Sequence, residues 1–139
     1  SEQITQKSVK WMSLFKCFIP SETFFFKRNI IDDNIIVDID FDQTMDQEFF
    51  AHLYYSGYNV KKVNAFFGHF RWHSSNKSLD TKPVRLIQSQ EGLIIFNRYS
   101  GFKLPHNKLG ITIYRILVLA CGLYRRIFRR FKIGIYDCK

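Results

Sequence analysis

The residue whose type and position offer the clearest chemistry is Asp46. It shares one face of a predicted helix with three apolar residues, at spacings of three, four and seven: Phe49, Phe50 and Leu53. A carboxylate among apolar side chains faces the interior or a cleft, and in a first helical turn its charged form is favoured by the backbone N–H groups. Two interpretations stay open: a carboxylate that only supports the helix start, and a general base that faces a pocket. Glu48 lies on a different face and is expected either to be solvated or to assist that base.

Arg71 and His73 are two residues apart in a predicted strand, so their side chains point to the same side. Arginine presents a planar fork of donors suited to phosphate, and histidine adds a donor when protonated or a metal ligand when neutral. Together at a strand end they could hold a diphosphate. The alternative is that Arg71 forms a surface ion pair and that His73 is exposed.

Asp38 and Asp40 follow a short apolar run, in the acid-x-acid pattern that many sugar-nucleotide enzymes use to hold a divalent metal. The pattern is also common in loops, and here it directly precedes a predicted helix start, where a solvated acidic turn is expected. We therefore interpret this segment as a loop and predict no metal ligands in this chain.

One helix has clear start and stop signals. Thr44 and Gln47 fit a capping box, with Thr44 as the N-cap and Gln47 at the third helical position. The helix is predicted to continue to about Ser56, and Gly57 supplies the left-handed residue that ends it.

Two aromatic segments are typical of strands. The run Thr-Phe-Phe-Phe at residues 23–26 is predicted to be a buried strand, and residues 58–72 are predicted to form one or two more. Residues 74–91 are expected to form a loop or a short helix. The apolar run at residues 93–96 is too short for its type to be assigned. A chain of 139 residues is long enough for one domain with a core.

The positive charge is confined to the C-terminal third. Residues 1–91 contain eleven Lys and Arg and eleven Asp and Glu, whereas residues 92–136 contain nine Lys and Arg and no acid. Such a block predicts a polyanionic neighbour, either nucleic acid or an anionic membrane surface. The longest apolar run is too short to span a bilayer. Three widely separated cysteines predict a reduced, cytosolic protein.

Most of this charge lies on one helix, predicted from about Gly110 to Lys132. An apolar face is predicted along Ile113, Leu117, Ala120, Tyr124, Ile127, Phe128 and Phe131, with the basic residues opposite: Arg125, Arg126, Arg129, Arg130 and Lys132. The four arginines would face anionic headgroups if this helix lies on a membrane. The alternative is a helix with one solvated basic face.

Three segments between Cys17 and Ser78 together resemble the C-terminal, acceptor-side half of family-two, inverting GT-A glycosyltransferases. The family's extended isoleucine-proline and threonine-phenylalanine-phenylalanine-arginine segment is matched by CFIPSETFFFKRNI. Its acid-aromatic helix, which ends in Gly-Tyr, is matched by DFDQTMDQEFFAHLYYSGYNV. Its closing Arg-x-His strand and serine loop are matched by FFGHFRWHSSNKS. The order and spacing of the three segments also match, over somewhat under half of the chain.

The resemblance implies an incomplete α/β domain, GT-A-like and Rossmann-like, and it assigns roles to residues. Asp46 falls on the catalytic base that deprotonates the acceptor hydroxyl, with Glu48 as a weaker helper. Arg71 and His73 fall near the diphosphate of the donor, where positive charge stabilises the leaving group. Thr23 lies in the segment that enters the acceptor side of the cleft.

The family's nucleotide-binding βαβ half, with its metal-binding Asp-x-Asp, does not fit into the residues that precede Cys17. The resemblance therefore implies an acceptor-side part in residues 1–91 and a basic C-terminal helical extension in residues 92–139. The complete enzyme would transfer a sugar from a nucleotide-sugar to a glycan or lipid-linked acceptor, with Mg or Mn. This chain alone is expected to hold no cofactor and to be inactive. It would be a truncated, split or fragmentary product, and a second chain that supplies the missing half is one of these alternatives. The expected location is cytoplasmic, peripheral on the inner face of the membrane, in cell-envelope polysaccharide synthesis.

Two rival interpretations do not depend on the resemblance. A small nucleic-acid-binding protein would use basic residues for phosphates and aromatic residues such as Trp72 and Phe128 for stacking. Against it, the basic block lies on one helix whose aromatic residues face the other way, and residues 1–91 have no net charge. A structural subunit of a larger assembly is the other alternative.

Overall fold

The computed structural model describes residues 13–15, 24–59 and 81–136, with side chains described up to residue 124 and at Arg126. Four helices follow one another in this part of the chain: α1, Asn29–Asp32; α2, Met45–Tyr55; α3, Lys82–Tyr99; and α4, Lys108–Tyr136. α3 packs against both α2 and α4. The predicted boundary between residues 91 and 92 falls inside α3.

The predicted α/β fold is wrong, because the described residues form helices and irregular segments and contain no strand. The predicted buried strand is irregular over residues 24–26, and Phe25 is 69% exposed. Phe24 packs edge-on against Phe49 and Phe50 of α2, with ring centroids 6.2 and 4.8 Å apart. The aromatic run therefore packs through its rings instead of pairing through its backbone. Most of the other predicted strand segment, residues 60–72, lies outside the described residues.

The predicted bounds of α2 are confirmed, although the capping box is wrong. Thr44 is the N-cap residue, but its side chain makes no bond to the helix. At the other end Gly57 has a φ of +89°, as the left-handed stop requires. Its N–H donates to the Tyr54 carbonyl at 3.2 Å, and the Tyr58 N–H donates to the Leu53 carbonyl at 3.1 Å.

α3 contains residues 82–91 of the polar segment and the short apolar run at residues 93–96, whereas residues 74–80 lie outside the described residues. Thr81 caps it, because its hydroxyl oxygen accepts a hydrogen bond from the Val84 N–H at 3.4 Å. Pro83 stands in the first turn, where a proline costs no hydrogen bond. Leu93, Ile95 and Phe96 are buried, and Ile94 between them is 40% exposed.

α4 is longer at both ends than the predicted helix, and its orientation differs from the prediction. The Asn107 side chain accepts a hydrogen bond from the Gly110 N–H at 3.1 Å, which supports the first turn. Tyr114 is 3% exposed and faces the core, whereas Tyr124, predicted on the apolar face, is 64% exposed. The Tyr114 hydroxyl donates to the Leu14 carbonyl at 3.1 Å.

α2 lies between two apolar clusters. Phe50 and Leu53 of α2 enter the first cluster, which also contains Ile30 and Ile35. Ala51 enters the second cluster, which joins α2 to α3 and α4. Because both sides of α2 are buried, the orientation of its first turn is fixed.

Candidate functional site

A buried carboxylate of α3 holds the segment that leads into α2. Glu91 is 9% exposed. One of its oxygens accepts the Asp42 N–H at 2.9 Å, and the other accepts the Gln43 N–H at 3.0 Å and the Thr44 N–H at 2.9 Å. The Thr44 hydroxyl also donates to Glu91, at 2.8 Å. A negative charge at this place complements the N-terminal end of the helix dipole. Glu91 therefore satisfies four donors next to the start of α2.

Glu48 is buried in an ion pair and is not solvated. Its side chain is 1% exposed, and one carboxylate oxygen accepts a hydrogen bond from the Arg98 guanidinium at 2.9 Å. The Tyr99 hydroxyl donates to the same oxygen at 2.5 Å. Burial, together with this hydrogen bond to Glu48, raises the pKa of Tyr99 above its usual range, so the phenol remains a donor. The second oxygen of Glu48 has no hydrogen-bond partner among the described residues.

Arg98 links Glu48 to the predicted acidic loop. It donates to Asp38 at 2.7 Å and lies over the Phe41 ring, 5.1 Å from its centroid. The hydrogen bond from Arg98, and next the one from the Asp40 N–H, lower the pKa of Asp38 below its usual value. Asp38 is thus a structural partner of α3.

Asp46 differs from these acids because it borders two cavities. One oxygen of its side chain accepts the Gln47 N–H at 2.8 Å, and the residue is half-buried. The first cavity, of about 390 Å³, has apolar residues in its walls together with Gln43, Arg85 and Arg115, and because of its two arginines we call it the polar cavity. The buried Tyr114 also lines this cavity, and burial raises its pKa to about 12.

The second cavity, of about 450 Å³, is apolar apart from Asp46. Phe24, Phe26 and Ile36 line it, together with Phe49 and Phe50 of α2. The prediction that Asp46 shares a face with Phe49 and Phe50 is therefore confirmed. A half-buried carboxylate that borders two cavities is suited to accept a proton from a hydroxyl group of a ligand bound in either one.

Several predicted site residues lie outside the described part of the chain: Thr23, Arg71 and His73. Their positions relative to Asp46 are therefore not described. The four predicted membrane-facing arginines belong to α4, and Arg126 among them is exposed. The side chains of Arg125, Arg129 and Arg130 lie outside the described set.

The sequence reasoning missed Glu91, Arg98 and the two arginines of the polar cavity, Arg85 and Arg115. Glu91 and Thr44 are 47 residues apart, and Arg98 and Glu48 are 50 apart. No local spacing rule connects residues so distant. The cap at Thr81 and the proline after it were a usable signal for α3, and that helix carries three of these four residues.

The described residues contain no group of three or more His, Cys, Asp or Glu that could hold a metal ion. Asp38 is engaged with Arg98, and Asp40 lies in the loop beside it. The Arg98 guanidinium beside Asp38 would repel a divalent cation at this place.

No family model, curated protein or solved structure matches this chain. Within the part of the chain that the structure describes, no helix is long and apolar enough to cross a membrane.

Proposed function

We propose that this chain contributes the acceptor side of an inverting sugar-transfer site of the family-two glycosyltransferases, with Asp46 as the base. One observation carries the proposal. Asp46 is the carboxylate that borders both cavities, whereas Glu48 and Glu91 nearby are buried and hydrogen-bonded to protein groups. A base must reach the proton that it removes, and the position of Asp46 beside both cavities supports this role.

In the proposed reaction the Asp46 carboxylate takes the proton of an acceptor hydroxyl. The hydroxyl oxygen forms a bond to the anomeric carbon of the donor sugar while the bond from that carbon to the diphosphate breaks, and the configuration inverts. The leaving diphosphate carries the electron pair away, and positive groups would stabilise it. We assign that role to Arg71 and His73 by their resemblance to the family.

Glu48 is a positioning residue in this proposal. Its ion pair with Arg98 connects the first turn of α2 to the last turn of α3. Through that contact it fixes the direction of the first turn, where Asp46 lies. Glu91 acts in the same way from the N-terminal side of the helix.

Donor binding is assigned to a nucleotide-binding unit of the kind that the family carries, which the described helices and irregular segments do not form. A divalent metal would belong to that unit, since the described residues offer no ligand set. Positioning of the donor contributes a large part of the rate of such reactions. The isolated chain is therefore expected to give no sustained transfer.

The test is best made in the source cells, where any partner polypeptide is present. Asp46→Asn would be introduced into the chromosomal gene, and the sugar composition of cell-envelope polysaccharide would be measured. We expect loss of one polymer or of one sugar, because the amide cannot accept the proton. The matched control is Asp40→Asn, which makes the same change on an exposed loop residue. A normal polysaccharide profile in Asp46→Asn cells, with the protein at its usual level, would refute the proposal.

A further inference from the structure

α4 carries an apolar stripe that no described residue covers. Four large side chains form it, each more than half exposed: Leu109 at 62%, Ile116 at 59%, Leu119 at 68% and Leu123 at 58%. Spacings of seven, three and four residues place them on one face of the helix. The opposite face, which includes Gly110 and Tyr114, packs against the core.

Cations border this apolar stripe. Lys108, Arg115 and Arg126 are exposed, and spacings of seven and eleven align them along one edge of it. From Lys108 to Tyr136 the helix contains seven Lys and Arg and no acid. A surface that covers the stripe must therefore be apolar in its middle and negative at its edge.

We propose that α4 docks in the plane of an anionic lipid bilayer, with the apolar stripe at the boundary of the acyl chains and the bordering cations among the headgroups. An amphipathic helix with a basic border binds such an interface through buried apolar area together with attraction to anionic lipid. This inference is independent of the sugar-transfer reaction.

Two other occupants fit the same surface less well. A second copy of the chain would bring one α4 against another, and seven cations on each would repel. Nucleic acid would match the cations, but it gives no reason for a stripe of leucine and isoleucine side chains. The bilayer satisfies both features at once.

The docking has a consequence for the candidate site, which rests on the proposed function. Arg115 and Leu119 also line the polar cavity that Asp46 borders. A docked α4 would place the mouth of this cavity beside the headgroups. A lipid-linked acceptor could then reach Asp46 from the membrane, without leaving the bilayer.

The docking can be tested by co-sedimentation of the purified chain with vesicles. Vesicles of phosphatidylcholine alone would be compared with vesicles that contain about 30 mol% phosphatidylglycerol. We expect binding to the anionic vesicles, weakened by added NaCl. The double variant Leu119→Gln and Leu123→Gln should lower the partition coefficient about tenfold or more, because it removes apolar area without a change of charge. The matched control is Ile39→Gln, at a residue that is 89% exposed outside α4.

A second pair of variants separates charge from apolar area. Arg115→Gln and Arg126→Gln should each lower binding to the anionic vesicles about fivefold and leave the weak binding to neutral vesicles unchanged. Equal binding to both kinds of vesicle, or binding that the double leucine variant does not alter, would overturn the proposal. It would also fail if light scattering showed a dimer that the double variant dissociates, or if the chain bound single-stranded nucleic acid and no vesicles.

Discussion

Removal of the Glu91 carboxylate should destabilise the whole helical unit, because one side chain satisfies four donors from another part of the chain. Three are the backbone N–H groups of residues 42–44, and the fourth is the Thr44 hydroxyl, all within 3.0 Å of a Glu91 oxygen. Glu91→Ala would leave all four without this acceptor. Glu91→Gln would keep one accepting oxygen and put an amide N–H₂ group against the other donors.

The size of the destabilisation depends on whether water can replace Glu91 as the acceptor for each donor. Thr44 is 5% exposed, so its N–H and hydroxyl would stay buried without a partner, at about 1–3 kcal/mol each. The N–H groups of Asp42 and Gln43 are nearer the surface and can be rehydrated at little cost. We expect Glu91→Ala to lower the free energy of unfolding by about 2–5 kcal/mol, a large part of the roughly 5–15 kcal/mol of a typical domain.

Urea denaturation followed by circular dichroism at 222 nm measures this loss. With a slope of about 2 kcal/mol per molar urea, the midpoint of Glu91→Ala should fall by about 1–2.5 M, with Glu91→Gln between it and the wild type. Asp40→Asn removes one exposed carboxylate elsewhere and should change the free energy of unfolding by no more than about 0.5 kcal/mol. If Glu91→Ala unfolds at the same urea concentration as Asp40→Asn, the four hydrogen bonds do not stabilise the fold and the reasoning is wrong.

Three further predictions concern the contacts around α3. Arg98→Met leaves the Glu48 carboxylate buried without its cation, and the free energy of unfolding should fall by about 1–3 kcal/mol, less than for a fully buried pair because Arg98 is 42% exposed; a loss below about 0.5 kcal/mol in urea denaturation would contradict this. Because Arg98 lowers the pKa of Asp38 in the folded state below its usual 3.8, Asp38 contributes stability above that pH and loses it as the pH falls through the folded value. The urea midpoint of Asp38→Asn should therefore fall less between about pH 4 and pH 2 than that of the wild type, and parallel curves would refute the linkage. Gly92→Ala should lower the thermal midpoint, because its Cβ would overlap the aromatic ring of α4 packed against it, whereas Gly122→Ala, whose Cβ meets nothing, should raise stability by up to about 1 kcal/mol; the opposite order would mean that α3 and α4 do not pack closely.

The helices with local signals were predictable from the sequence, and the long-range contacts were not. Thr44 and Gly57 mark the ends of α2 through residue types that are specific to helix termini. The presence of α4 was predictable from its apolar periodicity and its basic residues. The face of α4 that packs against the core was not, because it contains Tyr114, whose hydroxyl donates to the Leu14 carbonyl. Such an orientation is set by the partner surface and is not contained in the period itself.

The aromatic run at residues 24–26 shows why the fold class was mispredicted. Phenylalanine is common in strands because it fits a half-buried pleated surface, and its β-propensity depends on that context. Here Phe24 packs against Phe49 and Phe50 of α2 and not in a sheet, and Phe25 is largely exposed. The apolar run at residues 93–96 had no period long enough to identify, and its helix is set by the cap twelve residues before it. Local composition was therefore a poor guide wherever packing decided the conformation.

The candidate site shows the same division between local and long-range information. The sequence placed Asp46 in the first turn of a helix beside apolar residues, and the structure confirms that position. The sequence did not indicate that Glu48, two residues later, pairs with Arg98, or that Glu91 accepts hydrogen bonds from the segment before the helix. Those two contacts give Glu48 and Glu91 structural roles and leave Asp46 as the candidate base on α2. Glu48 and Glu91 are buried and line neither cavity, so a ligand in these cavities would not contact their carboxylates, whereas Asp46 borders both cavities.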